Sequence, residues 1–275
     1  MPIHEEKPWP RMRAVLFLAL AFMAVYWPLQ LGRRELHWRE GFYGTMAQEM
    51  NLLWPHSVAH GEVITGEYPL YPWAIAILQR GMGELGQQLP LAFWLRLVSV
   101  LSLAATTILV WLAGRQAISE TAGAVASAAC ISMLLPMEKA IEGYPQMLAA
   151  AWLCAGWLSW FHYGVARGQW QRAWTLALSC CGMGFYTIGW QAVLFFVFPL
   201  LWLRRPMSLW HRRPGRELLA GLAILCGFIL LWGVPRWFAG GVVFRQLRLD
   251  PGAFSGSYLM QLAAFPLLAA LRLMP

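Results

Sequence analysis

Apolar residues fall along this chain in runs, and the runs predict helices. A helix needs about 20 apolar residues to cross the hydrocarbon core of a bilayer. Residues 14–32, 91–114, 147–163 and 217–235 come close to or meet that length, while 69–84, 119–137 and 256–274 are shorter or more broken. The 31-residue stretch 173–203 reads either as one overlong tilted helix or as two short crossings folded back near Gly189. No period-2 alternation survives beyond a few residues, so no sheet is expected. The fold class predicted is all-α: a polytopic bundle of transmembrane helices forming a single multi-pass membrane domain over residues 1–275.

The longest polar interval is 33–68, and it predicts an element of its own. Between Glu40 and Leu53, Phe42, Met46, Met50 and Leu53 recur on one helical face, with Glu40, Gln48 and Glu49 elsewhere. That pattern describes a short helix lying flat at the membrane surface. Glu40 falls in its first turn, where the helix dipole favours an anion.

Composition makes lipid the solvent. Apolar residues are 59% of the chain and charged residues 12%, about half the charge of a typical soluble domain. That excludes a soluble globular enzyme. The net charge of +8 changes the picture only through its placement. Arg204, Arg205, Arg212, Arg213 and Arg216 share one loop, Arg167 and Arg172 another, and Lys7, Arg11 and Arg13 precede the first apolar run. This is the positive-inside pattern, and it leaves no basic domain for nucleic acid. With the N-terminus inside, 33–68 is an outer loop and 204–216 an inner one. An odd number of crossings must separate them. If 173–203 is a hairpin, one of the short earlier segments does not cross fully, and that choice decides whether residues 138–146 lie inside or outside.

The first run, 14–32, lacks a small-x-small cleavage site before Arg33 and reads as a retained anchor. The chain stops at Leu273-Met274-Pro275 directly after an apolar run, which reads as the N-terminal part of a longer protein. The five cysteines all lie in apolar runs without a C-x-x-C pair, as small buried hydrophobes do. Of the 13 acidic residues, only Asp250 is an aspartate, which excludes any mechanism built on paired aspartates.

Candidate chemistry concentrates in the outer loop. The run Arg39-Glu40-Gly41-Phe42-Tyr43-Gly44-Thr45-Met46-Ala47-Gln48-Glu49-Met50 is followed by Trp54-Pro55, Gly61, Gly66 and then Glu67-Tyr68-Pro69-Leu70-Tyr71-Pro72-Trp73. It resembles the first outer loop of the GT-C glycosyltransferases, in the branch of the aminoarabinose and protein O-mannosyl transferases. There the pattern is Asp-Glu-x-x-Tyr-x-x-x-Ala-x-Glu-Met, with Lys-Pro-Pro-Leu-x-x-Trp opening the next helix. Glu138-Lys139-Ala140 leading to Pro145-Gln146-Met147-Leu148 resembles a second family stretch, Glu-Lys-Ala followed by Asp-Met-Leu. Gly182-Met183-Gly184 through Pro199 resembles a third, a Gly-x-x-x-x-x-Lys-Gly helix. Together these cover roughly residues 14–240.

Four family charges are altered: the leading Asp is Arg39, the Lys of Lys-Pro-Pro is Glu67, the Asp before Met-Leu is Gln146, and the Lys of the third stretch is Ile188. Glu40, Glu49, Glu138 and Lys139 are kept.

The resemblance implies a membrane enzyme, in the inner membrane of a bacterium. It would move a sugar from a polyprenyl-phosphate donor to a lipid, glycan or protein acceptor on the outer face. Family acidic positions act as base or bind a divalent metal, and the lysines meet the lipid phosphate. The implied catalytic carboxylate is Glu40. Arg39, Tyr43, Glu49, Glu67, Glu138, Lys139 and Gln146 are the implied substrate-binding residues, with no certain cofactor and a divalent metal as an option. A guanidinium at 39 can engage two phosphate oxygens directly and so stand in for a metal.

Blander roles stand beside these. Arg39 and Glu40 form a solvated interfacial pair, Glu49 braces the surface helix, and Glu138 and Lys139 mark a helix end. His56, His60 and Glu62 are zinc-type donors, but Pro55 and Gly61 interrupt the helix that would align them. Two other functions fit the same residues. One is a degenerate relative acting as a scaffold or subunit. The other is a transporter, for which the ionisable residues Arg80, Glu84 and Arg96 are too close to one loop.

Overall fold

Apolar runs with helical periodicity build described segments that are helical almost throughout. The computed structural model describes residues 36, 38–51, 58–60, 62–64, 67–132, 142–202 and 216–238. The predicted runs 14–32 and 256–274, and the residues Glu138 and Lys139, lie outside them.

Helix α1 (Trp38–Glu49) is followed by a two-residue antiparallel ladder of β1 (Val58–Ala59) and β2 (Glu62–Val63), then α2 (Leu70–Gly81), α3 (Glu84–Gln88) and α4 (Leu91–Ala117). The ladder pairs Val58 with Val63 and Ala59 with Glu62, a local departure from the strand-free expectation. His60 turns the chain there with φ 56°. Next come α5 (Glu120–Ser132), α6 (Pro145–Ser159), a π-helical extension (Trp160–Ala166), α7 (Trp170–Ile188), α8 (Trp190–Trp202) and α9 (Arg216–Phe238).

Among the described residues, Leu91–Ala117 and Arg216–Val234 are long and apolar enough to cross a membrane. At 1.5 Å per residue, α4 is about 40 Å long.

Two alternatives left open by the sequence are narrowed. Segment 69–84 holds the short helix α2 and the start of α3. Helix α2 has 12 residues, about 18 Å, well short of a bilayer core. Its first turn lies against the first turns of α4, with the Tyr71 hydroxyl 2.9 Å from the Leu95 carbonyl oxygen. At its other end Arg80 Nη2 donates to the Gln48 carbonyl at 2.9 Å. Trp94 Nε1 then donates to the Gly86 carbonyl at 3.1 Å. Both ends of α2, and α3 after it, therefore stay beside α1 and the start of α4. Stretch 173–203, in turn, is two helices, α7 and α8, parted at Gly189.

The contacts sort the helix ends into two poles. One pole gathers α1, α2, the starts of α4 and α6, the α7–α8 turn and Trp232. Tyr68 stacks on Trp232 there (centroids 5.2 Å, planes 18° apart) and meets Phe185 edge-on at 5.6 Å. The opposite pole gathers the end of α4, the start of α5 and the π-helical turn, where His162 Nδ1 and Gln116 Oε1 are 3.1 Å apart.

Between the poles, α4 and α5 pack backbone to backbone: a Cβ on Gly114 would sit 2.6 Å from the Gly123 Cα. Small residues permit such an approach where lipid gives helices no hydrophobic reason to associate. Ser127 Oγ lies 3.2 Å from the Thr107 carbonyl of α4 and 2.9 Å from the Gly123 carbonyl of its own helix. Interhelical bonds of this kind average about 0.6 kcal/mol in membranes. Ser127→Ala is accordingly expected to cost about that much in thermal unfolding; a loss several times larger would mean the bond fixes the hairpin.

Two buried clusters hold the bundle. Tyr71, Ile75, Trp94, Leu95 and Val98 join α1, α2 and α4. Trp160, Trp174, Leu178, Phe196 and Leu225 join α6 to α9. Trp157 packs in the second cluster against Phe196 at 5.3 Å.

Candidate functional site

Helix α1 turns Glu40 inward. Glu40, Gly44 and Ala47 share its buried side, and Gly44 is needed because a Cβ there would meet the Leu91 side chain at 2.5 Å. The apolar face of the prediction is only partly the inner face: Met46 and Met50 are buried, but Phe42 is half-buried, and Glu40 lies inside rather than outside. The physical reason is Arg96, one and a half turns into α4. Arg96 Nε donates to Glu40 Oε1 at 3.1 Å and Nη2 to Oε2 at 3.2 Å, with both side chains 2% exposed. This fork satisfies a carboxylate that burial alone would expel. The expected catalytic carboxylate is thus sealed, with both oxygens on a guanidinium.

The turn ahead of α6 closes over the pair. Gly143 has φ +67°, and a Cβ on it would stand 3.1 Å from Glu40 Oε1 and 3.5 Å from Arg96 Cγ, so both the backbone and the space call for glycine. Tyr71 and Ser99 hold this turn down. The Tyr71 hydroxyl donates to the Gly143 carbonyl and lies 3.1 Å from Ser99 Oγ, which in turn donates to the Tyr144 carbonyl at 3.1 Å.

A second polar group lies at the same pole, nearer the surface. Tyr43, one turn along α1, donates from its hydroxyl to Glu67 Oε2 at 3.3 Å. It also meets Tyr71 edge-on at 5.6 Å. Arg39 is exposed, with its guanidinium 5.6 Å over the Trp38 ring, and its charge reaches both Tyr43 and Glu67.

Burial holds the half-buried Glu67 carboxyl above its usual range, while the Tyr43 hydrogen bond and Arg39 pull the other way. Burial, and then the charge of Glu67, push the Tyr43 hydroxyl up. It stays a protonated donor.

Arg39, Glu40, Tyr43 and Glu67 are therefore brought to one pole. Glu49, at the far end of α1, is exposed and about 15 Å along the helix from Arg39. Gln146 is exposed in the first turn of α6, two residues past the buried Tyr144. Residues Arg96, Ser99 and Gly143 escaped the sequence reading as site residues. The signal for Arg96 was an arginine alone inside an apolar run, which asks for a buried partner.

The donors do not fit a divalent metal. Position 39 carries a cation, Glu40 is already neutralised by Arg96, and among the described residues no three His, Cys, Asp or Glu side chains converge.

An apolar groove of about 390 Å³ runs along α4, walled by α2 and α6. Val98, Ser102 and Ala105 line it on one side, and Ala74, Leu148 and Trp152 close it.

No family model matches the chain, and no curated protein sequence does. Two solved structures share its fold. A crystal structure of ArnT from Cupriavidus metallidurans bound to undecaprenyl phosphate superposes with a TM-score of 0.61 and 19% identity, over 90% of this chain and 44% of that one. The same protein in its apo state gives 0.62 and 20%, over 92% and 48%. The chain spans just under half the length of these neighbours and shares the fold of that part.

Proposed function

We propose that this chain is the membrane portion of a GT-C-type glycosyltransferase that takes a sugar from a polyprenyl-phosphate donor and passes it to an acceptor on the outer face. The observation that carries this is the fold, whose solved neighbour binds undecaprenyl phosphate. This chain adds to it a polar pole holding Arg39, Tyr43 and Glu67 and an apolar groove between α2, α4 and α6. The groove suits an isoprenoid chain, and the pole suits its phosphate and an incoming hydroxyl.

The reading carries a topology in which α2 and α3 stay at the α1 pole and α4 to α9 cross in turn; of these, Leu91–Ala117 and Arg216–Val234 are long and apolar enough to span by themselves. Residues 142–144 and Gly189 then lie outside with Tyr68. Arg115, Arg167 and Arg172 then lie inside, in keeping with the positive-inside rule and with a bacterial inner membrane.

Membranes holding the chain, incubated with undecaprenyl phosphate carrying a labelled hexose or pentose, are expected to release undecaprenyl phosphate and label an acceptor. Because the donors do not suit a divalent metal, turnover is expected to persist in a chelator and to be lost in Arg39→Ala. Chelator-sensitive turnover would contradict this assignment of Arg39.

One observation favours a second reading, a scaffold that has lost catalysis: Glu40 is locked on Arg96. A chain that retains undecaprenyl phosphate but never releases it from any such donor would support that reading.

A further inference from the structure

The sealed Glu40 leaves the transferase reading without its expected carboxylate, and the surface pair fills the gap. We propose that Glu67 is the carboxylate that takes the acceptor proton, that Arg39 is the cation that receives the departing phosphate, and that Tyr43 positions Glu67. This rests on the transferase reading and adds to it the identity of the reacting groups.

Three observations support it. Glu67 is half-buried at the same pole, whereas Glu40 is 2% exposed with both oxygens on Arg96. Glu67 is oriented by the Tyr43 hydroxyl at 3.3 Å. Arg39 is exposed beside it, with its charge acting on both residues.

The sequence carries the fourth. Where the resembling pattern has a carboxylate and then a lysine, this chain has Arg39 and Glu67. The charges at the two positions are exchanged rather than lost, so the pole keeps one anion and one cation.

The step balances without a metal. The acceptor O–H gives its proton to the Glu67 carboxylate as its oxygen bonds to the anomeric carbon. The bond from that carbon to the phosphate oxygen breaks, and its electron pair leaves on the polyprenyl phosphate. The phosphate gains one negative charge beside Arg39, and the proton on Glu67 passes to water.

The pH dependence has a definite sign. Turnover falls as pH drops through the Glu67 pKa, which lies above the ordinary carboxylate value of about 4.3 because the group is partly buried. The charged and titratable groups around it are Arg39 and Tyr43 on α1, with Tyr144 ahead of α6 acting on Tyr43. Removing the Arg39 charge, which lowers that pKa, moves the acid limb of any residual turnover to higher pH.

The full chain in membranes or nanodiscs supplies the test, with undecaprenyl phosphate alone as the binding probe and its labelled hexose and pentose esters as reaction probes. Glu67→Gln is expected to retain the lipid but slow release by roughly 10²–10⁴-fold, with Glu67→Asp recovering part. Arg39→Ala is expected to weaken lipid retention roughly 10–100-fold. The reversals Arg39→Asp and Glu67→Lys are each expected to fail alone, and the double reversal to recover retention, since it rebuilds one anion beside one cation.

Unfolding midpoints measured alongside separate misfolding from chemistry. Normal turnover in Glu67→Gln with none in Glu40→Gln overturns the proposal and leaves the transferase reading standing. Neither binding nor release in the unaltered chain overturns both.

Discussion

Arg96→Ala is expected to be the most damaging single substitution at this pole. It removes the fork that engages both Glu40 oxygens and leaves that carboxylate in a site 2% exposed. Breaking a buried pair from one side costs about 3–5 kcal/mol, because the remaining charge is uncompensated. The unfolding midpoint in detergent should fall sharply. Replacing both partners by apolar residues, Glu40→Leu with Arg96→Met, should recover much of it, since a well-packed apolar pair is often neutral relative to a buried ion pair. Equal loss in the single and double variants would show that shape, not charge, sets the cost.

Gly189→Ala is expected to be comparably severe for a different reason. Gly189 has φ +74°, and a Cβ there would run into the ring of Tyr68. With ψ −144° this backbone lies in a region nearly restricted to glycine and costs an alanine about 1–3 kcal/mol, and forcing a side chain into packed space costs about 1–3 more. The strain has a chemical consequence, because Tyr68 follows Glu67 directly. If Tyr68 leaves its stack on Trp232 and Phe185, Glu67 moves with it. Tryptophan fluorescence should change along with the unfolding midpoint, and any turnover should fall further than the stability loss explains. Unchanged fluorescence would mean that Tyr68 adapts in place.

The helices were legible in the sequence because apolar runs of this length have little choice of structure. The break at Gly189 was legible as one of two options, glycine being the residue that a one-residue turn with positive φ requires. The fate of 69–84 was not legible. Charge fixes only the parity of the crossings, and what keeps α2 at one pole is the hydroxyl of Tyr71 on Leu95, Ser99 and Gly143. The site was legible in part. Arg39, Glu40, Tyr43 and Glu67 do meet at one pole, but their pairing depends on side chains far apart in the chain. Glu40 finds Arg96 across 56 positions, and Tyr43 finds Glu67 across 24. A helical wheel of α1 assigns a lone carboxylate to the wet side, and only the guanidinium arriving from α4 reverses that.

The most direct measurement is release of undecaprenyl phosphate from its labelled sugar esters by the full chain, compared with Glu67→Gln and Glu40→Gln. Release by the unaltered chain in the presence of chelator, lost in Glu67→Gln at an unchanged unfolding midpoint, is the expected result. Retention of undecaprenyl phosphate without release from any hexose or pentose ester would contradict it and make the chain a lipid-binding scaffold.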